Sequence, residues 1–189
     1  MTQLKIFLLA LALTSPVFSI GVGQKVASFE LKAVDGKQYN LENELKKKEM
    51  VAVIFIATKC PYSNAYIQRY RTLFDALSQR ISVSLFTINS NDTESFDEVK
   101  AHAKENKFSF PVLKDEGHKV ADLFGAEKTP EVFLVGKDKE ILYHGRIDDD
   151  AEGKHVKRQD LLAAVDEVVT KKPISVKETK AFGCSIKRK

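Results

Sequence analysis

The chain has 189 residues, 43% hydrophobic and 30% charged, with nine Gly and five Pro. That is one domain's length with enough apolar material for a core, and nothing in it is collagenous, repetitive or low-complexity. The formal charge of +4 is scattered apart from Lys46–Lys47–Lys48 and the closing Lys187–Arg188–Lys189, too weak a bias to argue for nucleic acid.

The first residues differ from the rest. Met1–Lys5 is basic, Ile6–Leu13 is an apolar run, Thr14–Ser15–Pro16 interrupts it, and Val17–Phe18–Ser19 ends on a small residue. That order predicts a cleavable secretory signal over residues 1–19. The run is shorter than the roughly 20 residues a membrane span needs, so no stable membrane insertion is expected after cleavage. The expected location is therefore exported, periplasmic or secreted, with a bacterial envelope the best fit. The predicted domain covers 20–172, followed by a polar tail over 173–189 that carries Cys184.

Gln24–Ala33 alternates as a strand, Asp35–Gly36 is a turn, and Lys37–Leu41 reads as the return strand. Glu42–Lys48 reads as a short polar helix or turn. Val51–Ala57 (VAVIFIA) is the continuous β-branched and aromatic run of a central strand buried on both faces. From Tyr62 to Gln79 apolar residues recur at helical spacing, which predicts one helix. Ile81–Asn89 is the next strand, and Thr93 is the predicted cap of a helix reaching Asn106. Pro111–Lys114 is a short strand, and His118–Phe124 a helix closed by Gly125. Glu131–Val135 and Glu140–His144 flank a hairpin turn. Asp148–Asp149–Asp150 opens a polar loop, and Lys157–Thr170 is an amphipathic helix with Leu161, Leu162, Val165, Val168 and Val169 facing inward. Strands separated by helices predict an α/β fold, a mixed sheet with helices on both faces and a small hairpin at its start.

The chemistry centres on Cys60, one of two cysteines. It sits where a buried strand hands over to a helix, and Pro61 suits the first helical position. Free backbone N–H groups and the helix dipole favour a thiolate there. Lys59 would add positive charge if it points the same way. A thiolate attacks disulfides or peroxides. Cys184, beside Gly183 in a polar tail expected to be mobile, leaves three arrangements open: a redox partner of Cys60, an inert bridge, or a spare thiol.

Cys60–Pro61–Tyr62–Ser63 after a hydrophobic strand resembles the active-site turn of the thioredoxin superfamily, with Ser63 where glutaredoxins carry a second Cys. Ala27–Leu31 with Asp35–Gly36–Lys37, then Thr129–Leu134 and Tyr143–Asp148, resemble the redoxin branch related to alkyl hydroperoxide reductase and thiol-specific antioxidant proteins. The resemblance implies a thioredoxin-like fold in which Pro130 is cis and lies against the active-site Cys, while Thr129 offers backbone groups to a disulfide substrate. It implies a catalytic Cys60, with Pro61, Tyr62, Ser63, Thr129 and Pro130 at the substrate site; Cys184 is the candidate catalytic partner because a flexible tail could bring it to Cys60, with an inert bridge equally open. No cofactor is expected. The implied partners are protein or small-molecule thiols and disulfides, with peroxide as an alternative, and an external thiol reductant.

The departures from that pattern bear on mechanism. Ser63 removes the dithiol turn, so Cys60 cannot cycle within it. Peroxiredoxins carry Thr or Ser three residues before the peroxidatic Cys, where this chain has Ala57, and no Pro lies between Pro16 and Pro61. The leading expectation is therefore a thiol–disulfide oxidoreductase. A divergent thiol peroxidase and a non-catalytic thioredoxin-fold binding module are the alternatives. Asp148–Asp149–Asp150 with Glu152 lacks calcium-loop spacing and reads as a solvated loop, and His102, His118, His144 and His155 lack metal-ligand spacing. Tyr62, Tyr66 and Tyr70 lie at helical spacing and read as packing rather than binding residues on that spacing alone.

Overall fold

The computed structural model describes residues 20–188; the signal expected over 1–19 lies outside them. The seven-stranded mixed sheet has the order β2-β1-β5-β4-β3-β7-β8. Its strands are β1 (Glu30–Ala33), β2 (Gln38–Asn40), β3 (Met50–Ile56), β4 (Val83–Asn89), β5 (Val112–Lys114), β7 (Glu131–Gly136) and β8 (Ile141–Gly145). Two further strands, β6 (Lys128–Thr129) and β9 (Cys184–Ser185), pair separately. β3, β4 and β5 run parallel, while β7 pairs antiparallel with β3 and β8 antiparallel with β7. This is the thioredoxin-like α/β arrangement, with β1 and β2 as the small N-terminal hairpin.

β3 is buried at every position. Its alternate side chains feed two cores, because successive residues of a strand point to opposite faces. Met50, Ala52, Ile54 and Ile56 pack on one face with Tyr66, Leu73, Leu161 and Val165. Val51, Val53 and Phe55 pack on the other with Leu41, Leu45, Val120 and Phe124. The helices on the first face include α3 (Ile67–Ser78), α4 (Phe96–Glu105) and α6 (Asp160–Val169); α1 (Leu41–Leu45) and α5 (Lys119–Phe124) cover the second. A wholly apolar run is thus what a two-faced core requires of its middle strand.

Several boundaries depart from the sequence expectation. The segment expected as one strand from Gln24 divides between two sheet edges. Gly23 and Val26 donate to Ile141 O and Lys139 O at 2.9 Å, and only Glu30–Ala33 joins β2 and β5. The helix expected from Tyr62 to Gln79 is two: α2 (Pro61–Ala65) and α3, separated by Tyr66 at φ −89°, ψ −3°. The Tyr66 hydroxyl reaches Asp148 at 3.1 Å, and this tertiary bond accompanies the break. Ser95, not Thr93, caps α4: its Oγ accepts from Glu98 N while the Glu98 carboxylate accepts from Ser95 N at 2.7 Å. Val169 is exposed rather than inward-facing. Asp148, expected in a solvated loop, is buried and accepts two hydrogen bonds from Arg69, at 2.8 and 2.9 Å.

The tail, expected to be mobile, is laced to the domain. His144 N donates to Lys177 O and Thr179 N donates to His144 O, each at 3.0 Å. Thr179 Oγ1 accepts from Arg146 N at 3.0 Å. Beyond β9, Ile186 is buried and its N–H donates to Glu127 O, and Lys187 N donates to Asn91 Oδ1 at 2.7 Å. Gly145 permits this approach. At φ +147° it takes a conformation that side-chain-bearing residues rarely adopt, and a Cβ there would run into the Thr179 backbone.

Candidate active site

The β3 strand ends at Ile56, and the chain turns through Thr58 and Lys59 to place Cys60 at the N-cap of α2. Pro61 occupies the first helical turn, where its missing N–H removes no helical bond. Ser63 N donates to Cys60 Sγ at 3.3 Å. This is a sulfur N-cap, and in a reduced protein the same donor would stabilise a thiolate. Cys60 Sγ also lies 3.2 Å from Thr129 O. Only a protonated thiol could donate across that contact, since a bridged sulfur has no hydrogen.

Cys60 and Cys184 form a disulfide across a sequence separation of 124, with Cα atoms 6.0 Å apart. That spacing is within the usual range for a bridge. Of the three arrangements open from the sequence, the spare thiol is thus excluded. The Thr129–Pro130 peptide bond is cis, as the resemblance implied. Thr129 is buried and is the register partner of Cys184 in the antiparallel β6–β9 pair. Cys60, Ser63, Thr129, Pro130 and Cys184 are therefore brought together. Tyr62, on the same short helix, is half-exposed, while Tyr66 and Tyr70 are buried and stacked, with ring centroids 6.0 Å apart.

Ser63 has a specific task besides its N–H. Its Oγ accepts from Ala57 N at 3.0 Å and shares a hydrogen bond with Tyr70 OH at 3.1 Å. The hydroxyl that stands where a dithiol turn carries its second sulfur therefore ties the loop to α3. Lys59 does not serve the sulfur as envisaged. Its ammonium is engaged by Glu98 at 2.7 Å and by Thr93 O at 3.2 Å.

Sequence reasoning missed the acid that shapes the turn. Glu94 is buried, and its two carboxylate oxygens accept from Thr58 N at 2.8 Å and Lys59 N at 2.9 Å. Asn89 Nδ2 donates to the same carboxylate at 2.5 Å. Burial pushes the Glu94 carboxyl up, but the bonds from Asn89, Thr58, Lys59 and Asn91 outweigh it and hold it below its ordinary value. The network continues to Lys114, whose buried ammonium donates to Asn91 O at 2.8 Å and Asn89 Oδ1 at 3.2 Å. Asn91 in turn holds Lys187 of the tail. One buried polar chain thus joins the loop before Cys60 to the segment after Cys184. The sequence offered no sign of it, because an acid beside a helix cap resembles surface charge.

A second missed pair stands behind the cis proline. Glu131 Oε2 accepts from Glu127 N at 2.7 Å and Lys128 N at 2.6 Å, and Glu131 Oε1 meets His144 Nε2 at 2.7 Å. Glu131 thereby fixes the start of β6. Among the described residues no group of His, Cys, Asp and Glu is arranged to hold a metal ion, and no helix is long and apolar enough to cross a membrane.

The chain resembles a chloroplastic peroxiredoxin Q from Populus jackii, 28% identical over 125 residues, covering 62% of this chain and 56% of that protein. It also resembles the thiol-disulfide oxidoreductase ResA of Halalkalibacterium halodurans, 26% identical over 120 residues, covering 64% of this chain and 65% of that one. The chain therefore spans less than two thirds of the length of these curated relatives. A crystal structure of a hypothetical protein from Sinorhizobium meliloti 1021 superposes with a TM-score of 0.82 at 32% identity, covering 91% of this chain and 97% of that one. Residues 22–144 match the AhpC/TSA family. That stretch holds the Cys60 turn and the cis Pro130, and Cys184 lies beyond it. On that match, supported by the thioredoxin-like sheet around Cys60, this chain belongs to the AhpC/TSA family.

Proposed function

We propose that the protein is an exported thiol–disulfide oxidoreductase with Cys60 as nucleophile and Cys184 as resolving cysteine. The observation that carries this reading is the bridge between an N-cap cysteine and the register partner of Thr129. In the reduced protein the Cys60 thiolate attacks a substrate disulfide. One substrate sulfur bonds to Cys60 and the other leaves with the electron pair and takes a proton. Cys184 then attacks Cys60 Sγ, releasing the second substrate thiol and closing the bridge. An external thiol reductant restores both thiols and is itself oxidised. Thr129, with Pro130, presents backbone to the substrate, Tyr62 offers an exposed aromatic face beside it, and Pro61 and Ser63 hold the turn. Export rests on the leader pattern of residues 1–19.

The test is disulfide mapping and thiol alkylation on the purified protein. A Cys60–Cys184 bridge that a mild dithiol opens and an oxidant re-closes is the expected result. Thiols that react only after unfolding would overturn the proposal in favour of a binding module.

The similarity to peroxiredoxin Q favours a second reading, a divergent thiol peroxidase in which Cys60 forms a sulfenic acid that Cys184 condenses with. Ala57 supplies no hydroxyl, and the Ser63 hydroxyl is already engaged. Consumption of hydrogen peroxide no faster than by free cysteine would dismiss this version.

A further inference from the structure

We infer that the C-terminal strand is a self-substrate, seated where an extended peptide disulfide binds, and that the cleft selects glycine immediately before the substrate cysteine. The inference rests on the oxidoreductase reading. Three observations support it. Among the described residues β6 pairs with β9 alone, so the backbone of Lys128 and Thr129 is occupied by the chain's own Cys184 and Ser185. The sulfur of that strand is bonded to Cys60, as the sulfur of a trapped substrate would be. Gly183, the residue before it, packs so close that a Cβ would fall inside the envelope of Thr129 O, with Pro130 N 3.1 Å away. Those obstacles are backbone atoms, held by Glu131 through Lys128, and cannot rotate aside as a side chain would.

Thr129 adds a further sign. Its hydroxyl is buried and has no hydrogen-bond partner among the described residues. A buried polar group left unsatisfied is rare. A peptide seated on β6 with a donor at this level could satisfy it where the tail does not.

An extended peptide adding a strand to an exposed edge takes its affinity from main-chain hydrogen bonds and its selectivity from side-chain room. The tail and the peptide need the same groups of Lys128 and Thr129, so they exclude each other. Reduction of the Cys60–Cys184 bridge frees β9 to lift. The Cys60 thiolate then breaks the peptide's S–S bond, forms its own with the peptide cysteine, and the departing thiol carries off the electron pair. Re-closure by Cys184 expels the peptide thiol, and β9 returns.

The test uses the full chain with Cys184→Ser, which leaves Cys60 unbridged. It is mixed with blocked peptides Phe-Xaa-Cys-Ser-Ile whose cysteine carries 2-nitro-5-thiobenzoate, where Xaa is Gly, Ala or Val, and release of the coloured thiolate is followed. Ellman's reagent, which has no peptide backbone, is the reference. The glycine peptide should react roughly tenfold or more faster than the other two, because a methyl group has no space against fixed backbone. Adding Gly183→Val, so that the tail cannot pair, should speed the glycine peptide severalfold. Equal rates for the three peptides alongside a prompt Ellman reaction would overturn glycine selection and spare the oxidoreductase reading. An unchanged rate on adding Gly183→Val would overturn self-occupancy. Failure of Cys60 to react with any reagent in either protein would overturn both readings.

Discussion

Thr129 and Cys184 face each other across two short antiparallel strands, and the cysteine is at the same time bonded to Cys60. The residue before the cis proline therefore holds Cys184 by backbone while the helix N-cap holds it by sulfur. Cys60 alone would be a capped thiol with no partner in the chain, and Cys184 alone a thiol in a tail. Together they make the end of the chain part of the site.

The two cysteines should have unequal phenotypes. Cys60→Ser should abolish disulfide reduction, because the Cys184 thiol that remains lacks the helix N-cap that favours a thiolate at Cys60. Cys184→Ser should leave the first attack intact and accumulate a mixed disulfide with substrate, visible by mass spectrometry under non-reducing conditions. Equal and complete loss of the first attack in both variants would show that Cys184 does more than resolve.

Opening the bridge should also cost stability. Closing a loop across 124 residues restricts the unfolded chain by about 5 kcal/mol on the chain-entropy account. For a protein of this length that corresponds to a fall in melting temperature of roughly 10–20 °C on reduction. Calorimetry with and without dithiol checks it. A fall of only a few degrees would mean that the tail already lifts off the reduced native protein, so that opening the bridge loosens the folded chain as well as the unfolded one.

Glu94→Gln should loosen the turn before Cys60. The amide offers only one acceptor oxygen to Thr58 N and Lys59 N, and leaving a buried N–H unpaired costs about 1–3 kcal/mol at neutral pH. The native carboxyl is held below the ordinary glutamate value of 4.5. Its contribution is therefore complete above that value and is lost as the pH falls through the lowered native one. The wild-type protein should lose stability below about pH 4.5 more steeply than the Gln variant. Parallel pH profiles of the melting temperature would remove Glu94 as the cause.

Asp148→Ala should be strongly destabilising. The Asp148 side chain is 3% exposed and its partner Arg69 20%, and the same guanidinium donates to Asp150 O and Ala151 O. Removing one member of such a pair leaves a charge poorly solvated and costs about 3–5 kcal/mol. Denaturant titration should show the midpoint falling at unchanged slope. In the folded fraction, the rate of Cys60 alkylation after reduction should stay as in the wild type, because the pair braces α3 against the loop after β8 rather than the sulfur.

Much was readable from the chain itself. The unbroken apolar run around β3 announced a strand with a core on each face. Cys60–Pro61 announced a helix start with a sulfur at its cap, and Thr129–Pro130 before an apolar strand matched the resemblance closely enough to anticipate the cis bond. The strand and the helix start are local: each depends on residues within a few positions of one another, and hydrophobic periodicity and proline geometry encode them directly, whereas the cis bond was implied by the resemblance alone. What only the tertiary structure decided is which distant groups meet. Glu94 reads as surface acid until the fold brings Thr58 and Lys59 onto its oxygens. Tyr66 reads as a mid-helix residue until Asp148 draws its hydroxyl. Gly183–Cys184 reads as loose tail until β6 supplies a backbone for it to pair with. Polar side chains carry no periodic signal of their partners, since a hydrogen bond is fixed by where the sheet and helices place its two ends and not by spacing along the chain.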